Sequence, residues 1–534
     1  MSQSSFLKPF RLWPCQIQRF VSKQLWEKPL SGKDTGIQIY NCITREKVPL
    51  ILPNDTYATW YTCGPTVYDS THIGHISCYV KLDIIQRILR QHFNVNLVTA
   101  MNITDIDDKI ILKSKESGRD WRELSRFYES EFWSDLGQLN IQEPNIKLRV
   151  TEHIPRIVEF IKRIIDSGSA YKGNDGSVYF AVSKCENYGK LQKVSIDVEP
   201  EKFSSGKNAA PDFALWKAQK LENEPSWPSP WGAGRPGWHI ECSTLASMIF
   251  GQQLDFHAGG LDLRFPHHEN EEAQSCAYHS THQWVNYWLH TGQLHIKGQP
   301  VKMSKSLKNT ISVGAMLERY TADEFRMSCA LSNYRNAVDY SDELMQTSRN
   351  TLKRFRTFKA DCNAYLCGKK RAAQVNATEV LSGLQRAQED IDACYKDDFD
   401  TARSVGVLLE QANIVSRQIN AGVSEIELNL TTSNCLDAIA AVDNFIQQHL
   451  NILGFSFVEA SKTQTLNANT KFNLDDFVED LLQSRHLIRE RAVAGKNKEL
   501  FGICDELRNC LQHHGITIQD HSQGTSWHFS DSKK

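Results

Sequence analysis

The sequence predicts an α/β protein: a parallel-sheet domain carrying an inserted subdomain, continued by a long α-helical region. Three observations carry this. Two β-branched and aromatic runs, Tyr57–Cys63 and Val95–Ala100, flank a stretch with helical spacing, Ile73–Leu89. That pattern turns irregular between Glu116 and Pro236 and resumes at Leu254–His257. From Ala315 onward, long charged amphipathic segments replace the strand signals.

In chain order, Ile37–Tyr40 opens an extended segment, and Tyr57–Cys63 reads as a strand stopped by Gly64-Pro65. In Ile73–Leu89, Val80, Ile84, Ile85 and Ile88 recur on one face. Strand, helix, strand is a βαβ unit, hence a parallel sheet. In the irregular stretch, helical pieces (Trp121–Leu136, Thr151–Ser167) surround a hairpin-like segment, Tyr171–Val182. A Pro/Trp/Gly-rich loop, Glu224–Gly237, closes it, so it reads as an insertion into the sheet domain. The α/β pattern then runs on to Ser312. Asn429–Asn434 and Ser461–Thr470, rich in Ser, Thr and Asn, read as loops or linkers. There is no internal repeat, no Walker A pattern and no G-x-G-x-x-G.

Composition bounds the function. The 534 residues suggest three or four domains at ~150 residues each. Forty percent hydrophobic residues suffice for a sizeable core. A net charge of −2 excludes a histone-like protein, so a nucleic-acid partner would be held by local patches. No uncharged apolar run approaches the ~18 residues that span a bilayer, so no membrane role is expected. The 14 cysteines contain no C-x-x-C, which disfavours zinc fingers and thioredoxin-like motifs. At this length a disulfide framework is not expected either, and the chain reads as one from a reducing compartment. Residues 1–26 hold Lys8, Arg11, Arg19 and Lys23, interleaved with apolar residues and without any acid. This fits a mitochondrial or plastid transit peptide; the plain alternative is an ordinary disordered N-terminus.

Two constellations suit phosphate chemistry. His72-Ile73-Gly74-His75 follows a strand and opens a helix, where free N–H groups and the positive end of the helix dipole favour anions. Lys302-Met303-Ser304-Lys305-Ser306 places two cations and two hydroxyls in a short loop suited to a polyphosphate leaving group. In this order, on an α/β pattern, the pair resembles the signature of class I aminoacyl-tRNA synthetases. A third constellation suits a metal. Cys63 sits at a strand end, Cys242 follows Gly237-Trp238-His239-Ile240-Glu241, and His267 and Glu271 are i and i+4, on one helix face. Two thiolates, an imidazole and a carboxylate suit tetrahedral zinc. Spacing alone equally admits packing cysteines and a surface His-His-Glu helix.

Four blocks resolve that choice by resemblance: Cys63-Gly64-Pro65-Thr66-Val67-Tyr68, Asn102-Ile103-Thr104-Asp105-Ile106-Asp107-Asp108-Lys109, Pro236-Gly237-Trp238-His239-Ile240-Glu241-Cys242-Ser243 and Phe265-Pro266-His267-His268-Glu269-Asn270-Glu271. Together they resemble the cysteinyl-tRNA synthetase family, from about Ile37 to about Asp520. The resemblance implies a Rossmann-like catalytic domain with a connective insertion, followed by a helical-bundle tRNA-binding region. It implies cysteine–tRNA ligase activity, with L-cysteine, ATP with Mg²⁺, and tRNA(Cys) as substrates. It implies one Zn²⁺ per chain on Cys63, Cys242, His267 and Glu271, binding the thiolate of the substrate. Catalytic roles fall on His72, His75, Lys302 and Lys305. ATP contacts fall on Pro65, Thr66, Gly74, His75, Ser304 and Lys305, and cysteine contacts on Cys63, Thr104 and Trp238. The implied domains are 1–30 transit peptide, 31–115 and 237–344 catalytic halves, 116–236 insertion, 345–460 bundle, and 461–534 small domain and tail. A monomer in the mitochondrial matrix is expected, with the cytoplasm as the alternative.

The metal makes chemical sense. Apolar contacts alone would separate Cys from Ser or Ala by only ~1–3 kcal/mol. A soft metal–thiolate bond gives more, and neither rival side chain supplies it, so no editing domain is expected. Two departures stand beside the catalytic set: His257-Ala258-Gly259-Gly260, where the family usually has three glycines, and Lys308 in place of a common glycine. Asp397-Asp398-Phe399-Asp400-Thr401 and Ser484–Asp520 resemble the family's helical region. Basic clusters at Met345–Ala360 and Arg485–Lys498 read equally as tRNA-phosphate contacts or as solvated helix faces. Two other functions share some of these features. A cysteine:amino-sugar ligase lacks the long C-terminal region present here. A non-catalytic RNA-binding paralogue usually loses signature residues that are intact here.

Overall fold

The computed structural model describes residues 25–192, 206–298, 310–368, 375–421, 433–456, 474–521 and 524–529. Residues 1–24, most of the segment expected to be a transit peptide, and the Lys302–Ser306 motif lie outside them. The chain divides into two compact units, the first up to Val458 and the second from Glu459.

The first unit opens with an antiparallel pair, β1 (Lys33–Asn41) and β2 (Glu46–Leu52). The βαβ unit follows as β3 (Ala58–Thr62), α1 (Ile73–Gln91) and β4 (Leu97–Ile103). Next come α2 (Asp108–Ser117), α3 (Trp121–Gln138) and β5 (Ile146–Arg149). The insertion carries α4 (Ile154–Asp166), β6 (Ala170–Lys172), β7 (Val178–Phe180), β8 (Phe213–Ala218) and β9 (Gly234–Pro236). The sheet domain then resumes with α5 (Trp238–Phe250), β10 (Leu254–Gly260), α6 (Glu269–His279), β11 (Val285–Thr291) and β12 (Leu294–Ile296). Last are α7 (Val313–Leu317), α8 (Ala322–Ala330), β13 (Val338–Tyr340), α9 (Asp342–Leu366), α10 (Ala377–Lys396), α11 (Thr401–Ile419) and α12 (Ser433–Ile452).

The central sheet has the order β11-β10-β3-β4-β5, every pair parallel. Strands β11, β10, β3 and β4 are buried on both faces, as crossover helices require, while the edge strand β5 is largely open. On β3 the alternation is visible: Trp60 joins the core shared with α1 and the helical region, while Tyr61 joins the core shared with the insertion and α5. Helix starts follow local chemistry. Asp107 caps α2, Ser341 caps α9, Asp400 caps α11, and Thr321 with Glu324 forms a capping box on α8.

Two expectations are corrected here. The insertion does not begin at 116. β5 completes the sheet, so α2, α3 and β5 belong to the sheet domain, and the four-stranded antiparallel sheet β6-β7-β8-β9 forms the inserted body. A four-residue strand reading Ile-Lys-Leu-Arg, with one buried side chain, is too short for periodicity to reveal. The C-terminal unit is also not purely helical. It joins α13 (Leu474–Gly495) and α14 (Lys498–His513) to an antiparallel hairpin, β14 (Ile516–His521) and β15 (Gly524–Phe529). Ile516 and Ile518 pack with Val478, Leu482 and Leu511 in its small core. No described helix is long and apolar enough to cross a membrane.

Candidate active site

The order of the sheet fixes where a ligand can bind. From β3 the chain crosses through α1 to β4 on one side, while β10 pairs with β3 on the other. Ligands of open α/β sheets bind outside the carboxyl ends of strands at such a switch point. A cavity of about 330 Å³ lies there, lined by the 63–75 turn and by Gly259, Gly260, Thr291, Gly292 and Trp238. Gly64 is required by close approach: a Cβ there would stand 1.6 Å from the carbonyl oxygen of Asn102. Its N–H is held by Asn102 Oδ1 at 2.9 Å. Pro65, Thr66, His72, Gly74 and His75 all line the cavity. His72 is the N-cap of α1, and its ring stacks on His75 at 3.7 Å between centroids. The first turn of α1 holds no acidic residue, so the dipole end stays positive toward the cavity.

At the cavity floor four donors converge. The atoms of Cys63, Cys242, His267 and Glu271 lie within 4.8 Å of one another, all buried. Cys63 Sγ is 3.5 Å from Cys242 Sγ and 3.4 Å from Glu271 Oε1, and His267 Nε2 is 3.1 Å from Glu271 Oε1. Zinc with bonds of about 2.3 Å to sulfur and 2.0–2.1 Å to nitrogen or oxygen spaces its donors roughly 3.3–3.8 Å apart in a tetrahedron. Two of the observed edges, 3.5 and 3.4 Å, fall in that range, and the third, at 3.1 Å, is slightly shorter. His267 Nε2 is buried without a hydrogen-bond partner, although a carboxylate oxygen is near, as an atom shaped for a ligand is. Among the described residues the cysteines are free thiols. Of the four donor residues only Cys63 also lines the cavity, so the cluster adjoins it there.

The surroundings hold these groups in place. Helix α6 is tied to the insertion by Glu269, which accepts from the N–H groups of Gly189, Lys190 and Leu191. Lys190 pairs with Glu272 at 2.6 Å. Around the cluster lie further imidazoles. His257 Nε2 meets Glu271 Oε2 at 2.9 Å, His268 Nδ1 meets His290 Nε2 at 2.9 Å, and His239 Nδ1 meets His267 Nδ1 at 2.8 Å. Burial holds His267 and His268 well below the usual imidazole range, and lowers His239 and His290 to about 3. They are therefore neutral, the form that binds metal. Burial, then the neighbouring Cys63 thiol and Glu271 charge, set Cys242: the net effect raises it to about 11. Cys63 is pushed up further, by burial and by Cys242. Without a cation the two thiols stay protonated; a dication would reverse that.

Thr104 does not line the cavity. It is buried, with its hydroxyl donating to Glu241 Oε2 at 2.8 Å and receiving from Asn102. Trp238 is 38% exposed and lines the cavity, its ring 4.1 Å from that of His267. Lys302, Ser304 and Lys305 lie outside the described residues. Several side chains here carried no separate assignment from sequence: Asn102, Glu241, His257, His268 and His290. Each stands inside or beside a quoted block except His290, whose only signal is a histidine at the end of a buried strand. The basic clusters are partly spoken for. Arg349 pairs with Glu324 and Lys359 with Asp443, while Arg485 is buried against Asp520.

Comparison with known proteins places this geometry. Residues 52–350 match the family model described as tRNA synthetases class I (C) catalytic domain. The chain is 42% identical to "Probable cysteine--tRNA ligase, mitochondrial" of Xenopus tropicalis, over 95% of this chain and 92% of that one. It is 37% identical to the cytoplasmic cysteine–tRNA ligase of Dictyostelium discoideum, over 95% and 80%. The same identity holds for the cysteine–tRNA ligase of Thermococcus gammatolerans, over 92% and 99%. In fold it is similar to Mycobacterium tuberculosis methionyl-tRNA synthetase bound by methionyl-adenylate, with a TM-score of 0.59 and 14% identity, over 76% of this chain and 93% of that one. The chain belongs to the cysteine–tRNA ligase family of class I aminoacyl-tRNA synthetases.

Proposed function

We propose that the cavity at the switch point is where this chain joins L-cysteine to the adenylyl group of ATP with release of pyrophosphate, and that the cysteinyl group of the resulting adenylate is passed to the 3′ end of tRNA(Cys) with release of AMP. The observation that carries the amino-acid assignment is the closed set of two thiols, one imidazole and one carboxylate at the cavity floor. Cys63, Cys242, His267 and Glu271 would hold one Zn²⁺. When bound, that ion offers a soft site for the substrate thiolate, which serine and alanine cannot match. Trp238 and Cys63 border the bound amino acid, and Thr104 acts by fixing Glu241. The cysteine carboxylate attacks the α-phosphate of ATP, whose Mg²⁺ arrives with the nucleotide, and pyrophosphate leaves. Pro65, Thr66 and Gly74 border the nucleotide. His72 and His75, with the N-terminus of α1, stabilise phosphate charge as it develops. Lys302, Ser304 and Lys305 are assigned by their motif to the leaving pyrophosphate. The chemistry is positioning and electrostatics, without a protein nucleophile. The terminal ribose hydroxyl of tRNA then attacks the carbonyl carbon of the adenylate, forming the cysteinyl ester as the bond to AMP breaks and AMP leaves.

We place the protein in the mitochondrial matrix, on the basic acid-free N-terminus and the mitochondrial label of the Xenopus relative. We assign it as a monomer. The domain boundaries we propose extend the first catalytic half from 31–115 to 31–153, keep 237–344 as the second, shorten the insertion to 154–236 and end the bundle, begun at 345, at 458.

The deciding experiment is cysteine-dependent ATP–pyrophosphate exchange with zinc quantified, beside Cys242→Ser. Exchange with cysteine, silence with serine, and joint loss of zinc and exchange in the variant are expected. Folded, zinc-replete wild type without exchange would refute the reading, and wild type that exchanges but charges no tRNA would point to the amino-sugar ligase.

A further inference from the structure

Lys81 is the side chain whose cost the reading above leaves unexplained. It lies on α1, nine residues beyond His72, and is 2% exposed. Among the described residues no carboxylate pairs with it; the titratable groups that act on it are the thiols of Cys329 and Cys78. Burial pushes its pKa below the ordinary 10.5. A core position between helix and sheet is filled more cheaply by Leu or Met, because a buried ammonium forfeits its hydration. The ammonium does make two bonds: Nζ donates to the carbonyl oxygens of Gly292 at 3.1 Å and Asn336 at 3.2 Å.

Those carbonyls belong to two segments that cross at this point. A Cβ on Gly292 would stand 2.0 Å from Asn336 O, so only glycine permits the approach. Gly292 N donates to Tyr334 O, Val338 N donates to Gln293 O, and β12 then pairs in parallel with β13. Thr291, Gly292 and Gln293 line the cavity on the side of β11, across from the 63–75 turn. One residue before Thr291 stands His290, which holds His268 beside the donor cluster. A single ammonium thus ties α1, whose N-terminus bears both signature histidines, to the opposite edge of the cavity.

We propose that Lys81 is a positioning residue for the activation step: by clamping the Gly292 and Asn336 carbonyls it sets the distance between the Thr291–Gln293 edge and His72 and His75. The group has three donors and the geometry uses them on two converging carbonyls, which no apolar side chain can do. This rests on the cavity being the site of cysteine activation. Misplacing a reacting partner by ~1 Å costs about 10²-fold.

The test is Lys81→Met in the full-length, zinc-loaded protein, by pyrophosphate exchange with ATP and cysteine varied separately. The expected result is a kcat lower by about 10–100-fold with a shifted KM for ATP, at unchanged cysteine KM, zinc content and melting temperature, and partial recovery in Lys81→Arg. Lys81→Met with wild-type kcat and ATP KM would overturn the proposal. So would a loss of activity that tracks loss of fold or zinc and is not restored by Lys81→Arg. Should Lys81→Met not fold, Gly292→Ala separates the same carbonyls and must lower kcat with zinc retained; wild-type kinetics there would equally overturn it. Wild type runs alongside, so a silent wild type sinks the activation reading and an active one isolates the role of Lys81.

Discussion

Among the described glycines, Gly64 is the one where an added methyl meets the closest contact, and Gly64→Ala should be severely damaging. The added carbon would lie 1.6 Å from Asn102 O, 2.8 Å from Asn102 C and 3.0 Å from Met101 Cγ. The nearest of these is backbone in a central strand, so no side chain can swing aside. Opening the oxygen contact even to 3.0 Å, tighter than nearly all real contacts, requires 3.0 − 1.6 = 1.4 Å of movement. The displaced segment includes Cys63 on one side and Pro65 and Thr66 on the other, and Asn102 itself reaches both Gly64 N and Cys242 Sγ. A ~1 Å error in reacting geometry costs about 10²-fold, or about 2.7 kcal/mol of barrier. Pyrophosphate exchange by Gly64→Ala should therefore fall at least about 100-fold, with zinc content reduced. Gly137→Ala is the control: it is an exposed helical glycine on α3 with nothing within 4 Å of the new carbon. It should gain about 0.4–1 kcal/mol and keep full activity. Gly64→Ala with near-wild-type exchange and full zinc would refute the close-packing argument and the placement of the cavity with it.

Three further outcomes are expected. Chelation of the metal should abolish cysteine-dependent exchange, and added zinc should restore it; exchange that persists in verified metal-free protein would remove the ion from amino-acid selection. Arg326→Met should lower the urea midpoint of the first unit by the equivalent of about 3–5 kcal/mol: Arg326 is 1% exposed and binds Asp83 at 2.7 Å together with the carbonyls of Leu139, Asn140 and Leu453, and an unchanged midpoint would show that Arg87 suffices for Asp83. Asp135 on α3 has a pKa raised from 3.8 to about 6 by burial and then by Glu131, so its folded form resists ionisation. Its contribution is greatest below pH 4, falls as pH rises toward 6, and stays low above; Asp135→Asn should gain about 1 kcal/mol at pH 7.5 and nothing near pH 4, and a pH-independent difference between the two proteins would contradict this.

What was legible in the sequence follows from the range over which each signal acts. β3, α1 and β4 were readable because their apolar residues repeat at the period of the element itself: Val80, Ile84, Ile85 and Ile88 all became buried. β5 and the β14–β15 hairpin were not: β5 alternates apolar and basic residues over only four positions with one buried side chain, and the hairpin strands are mostly polar, so both take their order from the partner they pair with, and pairing is non-local. The end of the cavity that we assign to phosphate was readable because His72 to His75 is one local turn. The layer behind the metal cluster was not. His267 and His268 are neighbours in sequence, yet each could serve: Cys63 and Glu271 can close a donor set with Cys242 and His267, or with His257 and His268. Geometry and chemistry separate them. The first set supplies a second thiolate, which zinc prefers to another imidazole, and its His267 Nε2 has no hydrogen-bond partner. In the second set, His257 Nε2 already meets Glu271 Oε2, and His268 is braced by His290. That is the pattern of groups that orient ligands rather than act as them. His267→Asn should therefore lose the metal outright, whereas His268→Asn should keep one zinc per chain at about 10–100-fold weaker affinity. Equal zinc loss in both variants would mean that the ion is shared between the two sets.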